Sequence, residues 1–336
     1  MHIRGEGITK EAEWGQGLME NDILLRVENL KKYFSTPGGM LHAVDDVSFD
    51  LPRGETLGVV GESGCGKTTL GRVILRLHDA TAGKVFFEDI DVLACSKEQM
   101  KTLRRNMQII FQDPFASLNP RMSISQAIAE ALIIQKLYSS RDKEGLRNRV
   151  LELMDMVGLA RRLINTYPHE LDGGRRQRIG IARALALNPK LIICDEPVSA
   201  LDVSIQAQIL NLMQDLQEHM KLTYIFITHD LSVVKHLSDE VMVMYLGHMV
   251  EKAPTSELFE KPLHPYTQAL LSAIPVPDPD FSTKRTILKG ELTSPIEPAP
   301  GCRFSKRCPL VMESCTGKDI PFVEKGKNHF VACVRA

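Results

Sequence analysis

Residues 61–68 read GESGCGKT, and this short glycine-rich stretch decides the fold. It matches the pattern G-x-x-x-x-G-K-[ST] at every fixed position. An apolar run at 56–60 precedes it, and residues 70–77 carry apolar side chains at helical spacing after it. Strand, loop and helix in this order are the context in which such a loop binds phosphates. The stretch therefore predicts a phosphate-binding loop between a buried strand and a helix.

The residue types in the loop have separate roles in this prediction. Gly61, Gly64 and Gly66 let the backbone curl so that successive N–H groups face phosphate oxygens. Lys67 would neutralise the β- and γ-phosphates of ATP, and Thr68 would ligate Mg²⁺ through its hydroxyl. The predicted nucleotide contacts of the loop are Gly61, Glu62, Ser63, Gly64, Cys65, Gly66, Lys67, Thr68 and Thr69. The loop by itself does not distinguish a kinase from a motor.

Short apolar runs alternate with longer amphipathic runs from residue 23 to about residue 252. This alternation predicts an α/β fold, with a mostly parallel sheet covered by helices on both faces. Between about 117 and 185 we expect a helical subdomain, because 124–137 and 146–157 carry apolar residues at helical spacing. The predicted strands are 24–27, 44–50, 56–60, 85–87, 107–111, 191–194, 224–228 and 241–245.

Two carboxylates end the apolar run LIICDE at 191–196. Beside a phosphate loop, Asp195 is placed to hold Mg²⁺, mostly through water. Glu196 would then lie near the γ-phosphate and polarise the attacking water as general base. The pair therefore predicts hydrolysis of the bound nucleotide.

Four further segments extend this pattern, namely FQDP at 111–114, LDGGRRQR at 171–178, SALD at 199–202 and THD at 228–230. Together with the loop, they resemble the nucleotide-binding domain of ATP-binding cassette (ABC) transporters over about residues 23–255. The resemblance implies that Gln112 senses Mg²⁺ and the membrane partner, and that His229 contacts the γ-phosphate. It also implies that Asp202 aligns a dimer and that Phe34, or else Tyr33, stacks on adenine.

The signature segment departs from the family, whose usual form is LSGGQ. Here it reads Leu171, Asp172, Gly173, Gly174 and Arg175. The resemblance implies that this segment contacts the γ-phosphate bound to the opposite subunit of a sandwich dimer. Asp172 is a good helix N-cap, but its charge would oppose a phosphate. We therefore expect asymmetric ATP sites, with the site that borrows Asp172 turning over slowly.

The composition shifts after residue 252 to a proline-rich segment. HPYT at 264–267, GCRFSKRCP at 301–309 and HFVAC at 329–333 resemble the carboxy-terminal region of the oligopeptide/dipeptide importer subfamily, also found in some nickel importers. Clustered cysteines in a reducing compartment favour a metal over disulfides. We expect a small irregular metal-binding extension at 256–336 that holds a [4Fe–4S] cluster, with zinc as the alternative. The expected ligands are Cys302, Cys308, Cys315 and Cys333.

Composition and net charge limit the kinds of partner that the sequence predicts. The chain is 43% hydrophobic and 25% charged, with a formal net charge of −1, which gives no reason to expect nucleic acid. Residues 1–22 form a polar tail without a signal-peptide core, and no stretch approaches the roughly 20 apolar residues that cross a bilayer. We expect a peripheral protein at the cytoplasmic face of the cell membrane.

The family resemblance then implies a complete assembly. Its members would be a homologous ABC ATPase in a heterodimer, two membrane permeases and an extracytoplasmic substrate-binding protein. Two alternatives are a soluble ABC ATPase that acts on ribosomes or DNA, and a catalytically weak regulatory subunit. The cargo, whether dipeptide, oligopeptide, nickel or another solute, is not encoded here.

Overall fold

A computed structural model describes residues 23–113, 115–139, 141–274, 288 and 295–336. The predicted polar tail at 1–22 and part of the proline-rich segment lie outside the described residues. The strands are β1 Ile23–Thr36, β2 Gly39–Pro52, β3 Thr56–Val60, β4 Ala82–Phe87, β5 Ile90–Asp91, β6 Met107–Ile110, β7 Leu191–Asp195, β8 Thr223–Ile227, β9 Glu240–Tyr245, β10 His248–Pro254, β11 Val323–Gly326 and β12 His329–Val331. The α-helices are α1 Lys67–Ile74, α2 Lys97–Asn106, α3 Ile124–Ile134, α4 Lys143–Met156, α5 Gly173–Leu185, α6 Val203–Met220, α7 Leu231–Leu237, α8 Thr255–Glu260 and α9 Pro265–Ser272.

The main sheet has the strand order β11-β12-β10-β9-β3-β8-β7-β6. Its β9-β3-β8-β7-β6 portion is parallel. All residues of β3, β7 and β8 are buried, as expected for parallel strands that are covered on both faces. Because parallel strands end at one edge, the residues at or just after the ends of β3, β6, β7 and β8 meet there, and they include Lys67, Gln112, Asp195, Glu196 and His229.

A second, antiparallel sheet corrects the prediction of one mostly parallel sheet. Its order is β2-β1-β4-β5, so the predicted strands at 24–27, 44–50 and 85–87 belong to it and not to the main sheet. β1 and β2 pair from Thr36 and Gly39 outward, with only Pro37 and Gly38 between them. A connection of two residues joins antiparallel strands only, whereas parallel neighbours need a crossover of a dozen residues or more.

The predicted helices of the insert are confirmed, with shifted ends. α3 begins at a capping box in which Ser123 accepts from the backbone of Gln126, and Gln126 accepts from Ser123 in return. It ends at Ile134, three residues before the predicted limit, and Lys136 just beyond it takes a left-handed φ of 57°. α3, α4 and α5 share one buried core that includes Ile128, Leu153 and Ile179. This core places the signature segment at the start of α5.

The chain after β10 returns to the edge of the main sheet. β12 pairs with β10, and β11 pairs with β12. Tyr266 of α9 and Phe304 are fully buried, and each packs edge-on against Tyr245 of β9. The Tyr266 and Phe304 rings also contact each other, at a tilt. The extension therefore shares a core with the sheet, while the division into 1–22, 23–255 and 256–336 stays a prediction. None of the described helices combines the length and the apolar character needed to span a lipid bilayer.

Candidate nucleotide-binding site

The loop at 61–68 has the geometry that its glycines allow. Gly61, Gly64 and Gly66 have φ values of 151°, 77° and 107°, in the region that favours glycine. A Cβ on Gly61 would lie 2.2 Å from the carbonyl oxygen of Met244, and one on Gly66 would lie 2.0 Å from that of Ala43. Gly66 is the N-cap of α1, so the free N–H groups of the first helical turn face the loop. The loop can therefore accept an anion at a helix N-terminus.

Lys67 is buried and directed along the loop. Its Nζ donates to the carbonyl oxygens of Gly61 at 2.7 Å and Glu62 at 3.0 Å. An ammonium group held by loop carbonyls is available to phosphate oxygens at the same place, because it has three donors. Burial raises the pKa of the neighbouring Cys65 thiol, so Cys65 is a neutral packing residue here.

Thr68 and Asp195 join the loop to the end of β7. Thr68 Oγ1 donates to Asp195 Oδ1 at 2.7 Å. Asp195 is only 2% exposed, and this burial raises the pKa of its carboxyl. A hydroxyl and a buried carboxylate at this distance are both oxygen ligands of the kind that Mg²⁺ takes. A divalent cation there would compensate the burial of the charge.

Glu196, Gln112 and His229 meet beside this pair. Gln112 Nε2 donates to Glu196 Oε2 at 2.7 Å, and His229 Nδ1 lies 3.4 Å from Glu196 Oε1. Glu196 has a φ of 47°, which is uncommon for a residue other than glycine. Such backbone strain is concentrated at functional sites. Two side chains, from the ends of β6 and β8, thus converge on the carboxylate at the end of β7.

A cavity of about 550 Å³ connects these groups. Phe34 lines it, whereas the Tyr33 hydroxyl donates to Asp45 and the Tyr33 ring stacks on His42 at 3.9 Å. Of the two aromatic candidates, Phe34 is the one at the cavity. The lining residues are Phe34, Leu41, Ala43, Ser63, Gly64, Gly66, Lys67, Thr68, Thr69, Gln112, Glu196, His229 and Pro295.

The signature segment lies apart from this cavity. Asp172 caps α5 as expected, accepting from the backbone N–H of Arg175 at 2.8 Å, and its other oxygen lies 3.4 Å from Arg175 Nε. A Cβ on Gly174 would lie 2.6 Å from Ile205 of α6, so this glycine is required for close packing. Leu171 is buried, and Asp202 precedes α6 without capping it through its side chain. Neither Asp172 nor Asp202 lines this cavity.

Cys302, Cys308, Cys315 and Cys333 surround one small cavity of about 20 Å³. Burial raises the pKa of the Cys302 thiol to about 11 and also raises that of Cys308. Among the described residues, however, no group of three or more His, Cys, Asp or Glu side chains is arranged to hold a metal ion. The structure thus brings the predicted ligands together but does not support the metal-binding extension, whether as a [4Fe–4S] cluster or as zinc.

Two arginines of the extension, one bonded to the phosphate loop and one to a residue beside Tyr33, were missed from the sequence. Arg307 donates to both carboxylate oxygens of Glu62, and Arg303 donates to Asp45, which lies behind Tyr33. The signal that could have found them is their position, since each directly adjoins a clustered cysteine.

Comparisons with known proteins agree with this geometry. The ABC transporter family matches residues 44–199, and the family described as oligopeptide/dipeptide transporter, C-terminal region matches residues 250–315. The oligopeptide transport ATP-binding protein AppF of Bacillus subtilis is 52% identical over 93% of this chain and 97% of its own length. The oligopeptide transport ATP-binding protein OppF of Escherichia coli is 53% identical over 92% of each chain.

Solved structures give the same fold. The dimeric ATP-binding cassette MJ0796 bound to ADP and Pi superposes with a TM-score of 0.63, at 28% identity, over 69% of this chain and 98% of its own. CbiO1 of Clostridium perfringens, part of the ABC transporter complex cbiONQ, has a TM-score of 0.62 at 28% identity. It covers 71% of this chain and 92% of its own. The predicted α/β fold of an ABC nucleotide-binding domain is therefore confirmed.

Proposed function

We propose, from the premise that this chain belongs to the ATP-binding proteins of the ABC transporter family, that it is the ATPase subunit of an oligopeptide importer. Family membership makes it an ATPase coupled to transport. The observation that carries the proposal at the site is the Thr68–Asp195 hydrogen bond beside Glu196, all at one edge of the sheet. The transported class is supported by relatives named as oligopeptide transport proteins and by the match at 250–315.

Nucleotide binding is assigned to the loop and the aromatic wall. Phe34 would stack on adenine, and the backbone of the loop from Gly61 to Thr69 would surround the phosphates, with the Glu62 carboxylate bonded to Arg307. Thr68, Gln112 and Asp195 would hold Mg²⁺. When bound, the cation supplies charge neutralisation for the phosphates. Support comes from the oxygen donor set and from the pKa of Asp195, which burial raises and a cation would lower.

Hydrolysis is assigned to Glu196 as general base. Its carboxylate would take a proton from the water that attacks the γ-phosphate, while His229 would contact the γ-phosphate. The hydrogen bond from Gln112 and the proximity of His229 restrict the carboxylate to one orientation. Gln112 therefore connects the chemical step to the segment that follows β6, which is the segment proposed to sense the membrane partner.

The assembly we propose has two membrane permeases, a homologous ATPase as heterodimer partner, and an extracytoplasmic substrate-binding protein. The chain would lie peripherally at the cytoplasmic face of the membrane. A heterodimer would let a partner's signature segment complete this chain's phosphate loop, with Asp202 aligning the two subunits. The site that borrows Asp172 would hydrolyse ATP slowly, because a carboxylate about 5 Å from a phosphate costs about 3 kcal/mol at an effective dielectric near 20.

Reconstitution of the complete complex in liposomes tests this function. We expect oligopeptide uptake that requires ATP on the side of the membrane where this chain is bound. We expect Lys67→Ala to abolish that uptake. Uptake that proceeds equally without this chain, or in the presence of Lys67→Ala, would reject the proposal. A complex that binds the permeases but gains no ATPase from this chain would instead favour the catalytically weak regulatory subunit, the alternative that Asp172 supports.

We also propose that the four cysteines hold a [4Fe–4S] cluster that fastens the extension, with zinc as the alternative outcome. Support comes from four thiols around one cavity, which is the donor set of either group. Iron and sulfide in equal amounts with absorbance near 400 nm would support the cluster. Stoichiometric zinc without colour would support the alternative, and neither metal would reject both.

A further inference from the structure

The second residue of the phosphate loop is held at three polar points. The Glu62 backbone N–H donates to the hydroxyl of Tyr266 at 2.8 Å. Its carbonyl oxygen accepts from Lys67 Nζ at 3.0 Å. Its carboxylate accepts two hydrogen bonds from Arg307, at 2.6 Å from Nη1 and 3.0 Å from Nη2. Two of these three partners, Tyr266 and Arg307, come from the chain after β10.

The Arg307–Glu62 ion pair is bidentate and largely shielded from water. The Arg307 side chain is 9% exposed and that of Glu62 is 23% exposed, so water screens the pair only in part. Paired donors and acceptors of this kind are the strongest ion-pair geometry that a carboxylate makes. The pairing raises the pKa of Arg307 further above its ordinary value, so the guanidinium stays charged. Its Nη1 also lies 3.4 Å from the Tyr245 hydroxyl, which fixes the direction of the fork.

The pair also fixes the position of the Glu62 carboxylate, which is the negative charge of the loop. Ser63 and Gly64 line the nucleotide cavity, whereas Glu62 is not among its lining residues and its carboxylate is bonded to Arg307. A carboxylate released from Arg307 would add an unpaired negative charge to a loop that binds a polyanion, and like charges repel. Arg303 makes a second link of the same kind, because it donates to Asp45, which also accepts from Tyr33 next to Phe34.

We propose that Arg307 is a positioning residue for the nucleotide site. It holds the Glu62 carboxylate away from the phosphates and neutralises it, so that ATP affinity depends on the extension as well as on the loop. This inference rests on the proposed function that residues 61–69 bind ATP. The residue acts through Glu62 and does not contact the reacting atoms.

The test uses the full chain and Mg·ATP in isothermal titration calorimetry. We expect Arg307→Gln to raise the Kd for ATP by about tenfold. Lys306→Gln removes the same charge from an exposed neighbour in the same segment, and we expect less than a twofold change. In the double variant Arg307→Gln with Glu62→Gln, the repelling carboxylate is gone, so the Kd for ATP should be at least fivefold lower than in Arg307→Gln.

Three results would overturn the inference. One is a folded Arg307→Gln variant that binds ATP as the parent does. A second is a double variant as weak as Arg307→Gln, because a contact that only fastens the extension is not restored by removing its partner. If Arg307→Gln does not fold, Glu62→Asp decides. This variant keeps the negative charge but shortens the side chain away from Arg307, so we expect about fivefold weaker ATP binding. Unchanged ATP binding in Glu62→Asp is the third result that would overturn the inference. A parent that binds no ATP, or no better than Lys67→Ala, would overturn the proposed function instead.

Discussion

Gln112 donates a hydrogen bond of 2.7 Å from Nε2 to Oε2 of Glu196, which joins the end of β6 to the end of β7. The two residues are 84 positions apart in the chain, and only the parallel pairing of their strands brings them together. The contact links the proposed general base to the segment that leads into the helical insert.

Glu196→Gln tests the general base. We expect ATP hydrolysis by the assembled complex to fall by a factor of about 10² to 10³, because an amide cannot accept the proton, while ATP stays bound. Phosphate release and retention of radiolabelled ATP measure the two effects. Glu218→Gln, an exposed position on α6, is the matched control and should hydrolyse at the parent rate. Normal hydrolysis in Glu196→Gln would remove Glu196 from this role.

Asp172→Asn tests the charge of the signature segment separately from its cap. Asn caps a helix about as well as Asp, so α5 should keep its stability while the charge near the partner's phosphate disappears. We expect ATPase of the assembled complex to rise several-fold, and the pair Asp172→Ser with Arg175→Gln to do the same. Asp172→Ala should lower the free energy of unfolding by about 1 kcal/mol through loss of the cap. Unchanged ATPase in Asp172→Asn would contradict asymmetric sites.

Asp195→Asn tests the metal position through stability and pH. Burial raises the pKa of Asp195 above its unfolded value, so the folded chain binds the proton more tightly than the unfolded chain does. Stability from this group is therefore present at low pH and declines as the pH rises from the unfolded to the folded pKa. At neutral pH without Mg²⁺ we expect Asp195→Asn to have the higher Tm, and to lose Mg²⁺-dependent ATPase by at least about tenfold. A lower Tm would show that the charged carboxylate is already compensated by Thr68.

Phe34→Ala tests the adenine wall. Stacking of a base on an aromatic side chain is worth about 1–3 kcal/mol, so we expect ATP affinity to fall by roughly tenfold. Tyr33→Phe removes only the hydroxyl that donates to Asp45, and its main effect should be on the Tm. Calorimetric titration with Mg·ATP and thermal unfolding separate the two. A larger loss of ATP affinity in Tyr33→Phe than in Phe34→Ala would assign adenine stacking to Tyr33 instead of Phe34.

The sequence by itself determined the phosphate loop, the acidic pair after β7 and the helices of the insert. These are local patterns, in which spacing along the chain dictates the conformation, and the structure confirms the strand at 56–60 and helices near 124 and 146. The division of strands between two sheets was not determined, since apolar runs in parallel and antiparallel sheets look alike. Nor could a cysteine count decide whether the thiols are arranged for a metal.

Only the tertiary structure decided which residues meet. It placed Phe34 at the cavity and Tyr33 in a hydrogen bond to Asp45, although the two are neighbours in a strand, because successive side chains point to opposite faces. It also brought Arg307 to Glu62 across 245 positions. Such a contact depends on the shared aromatic core that docks the extension on the sheet, and no pattern in either segment encodes the other.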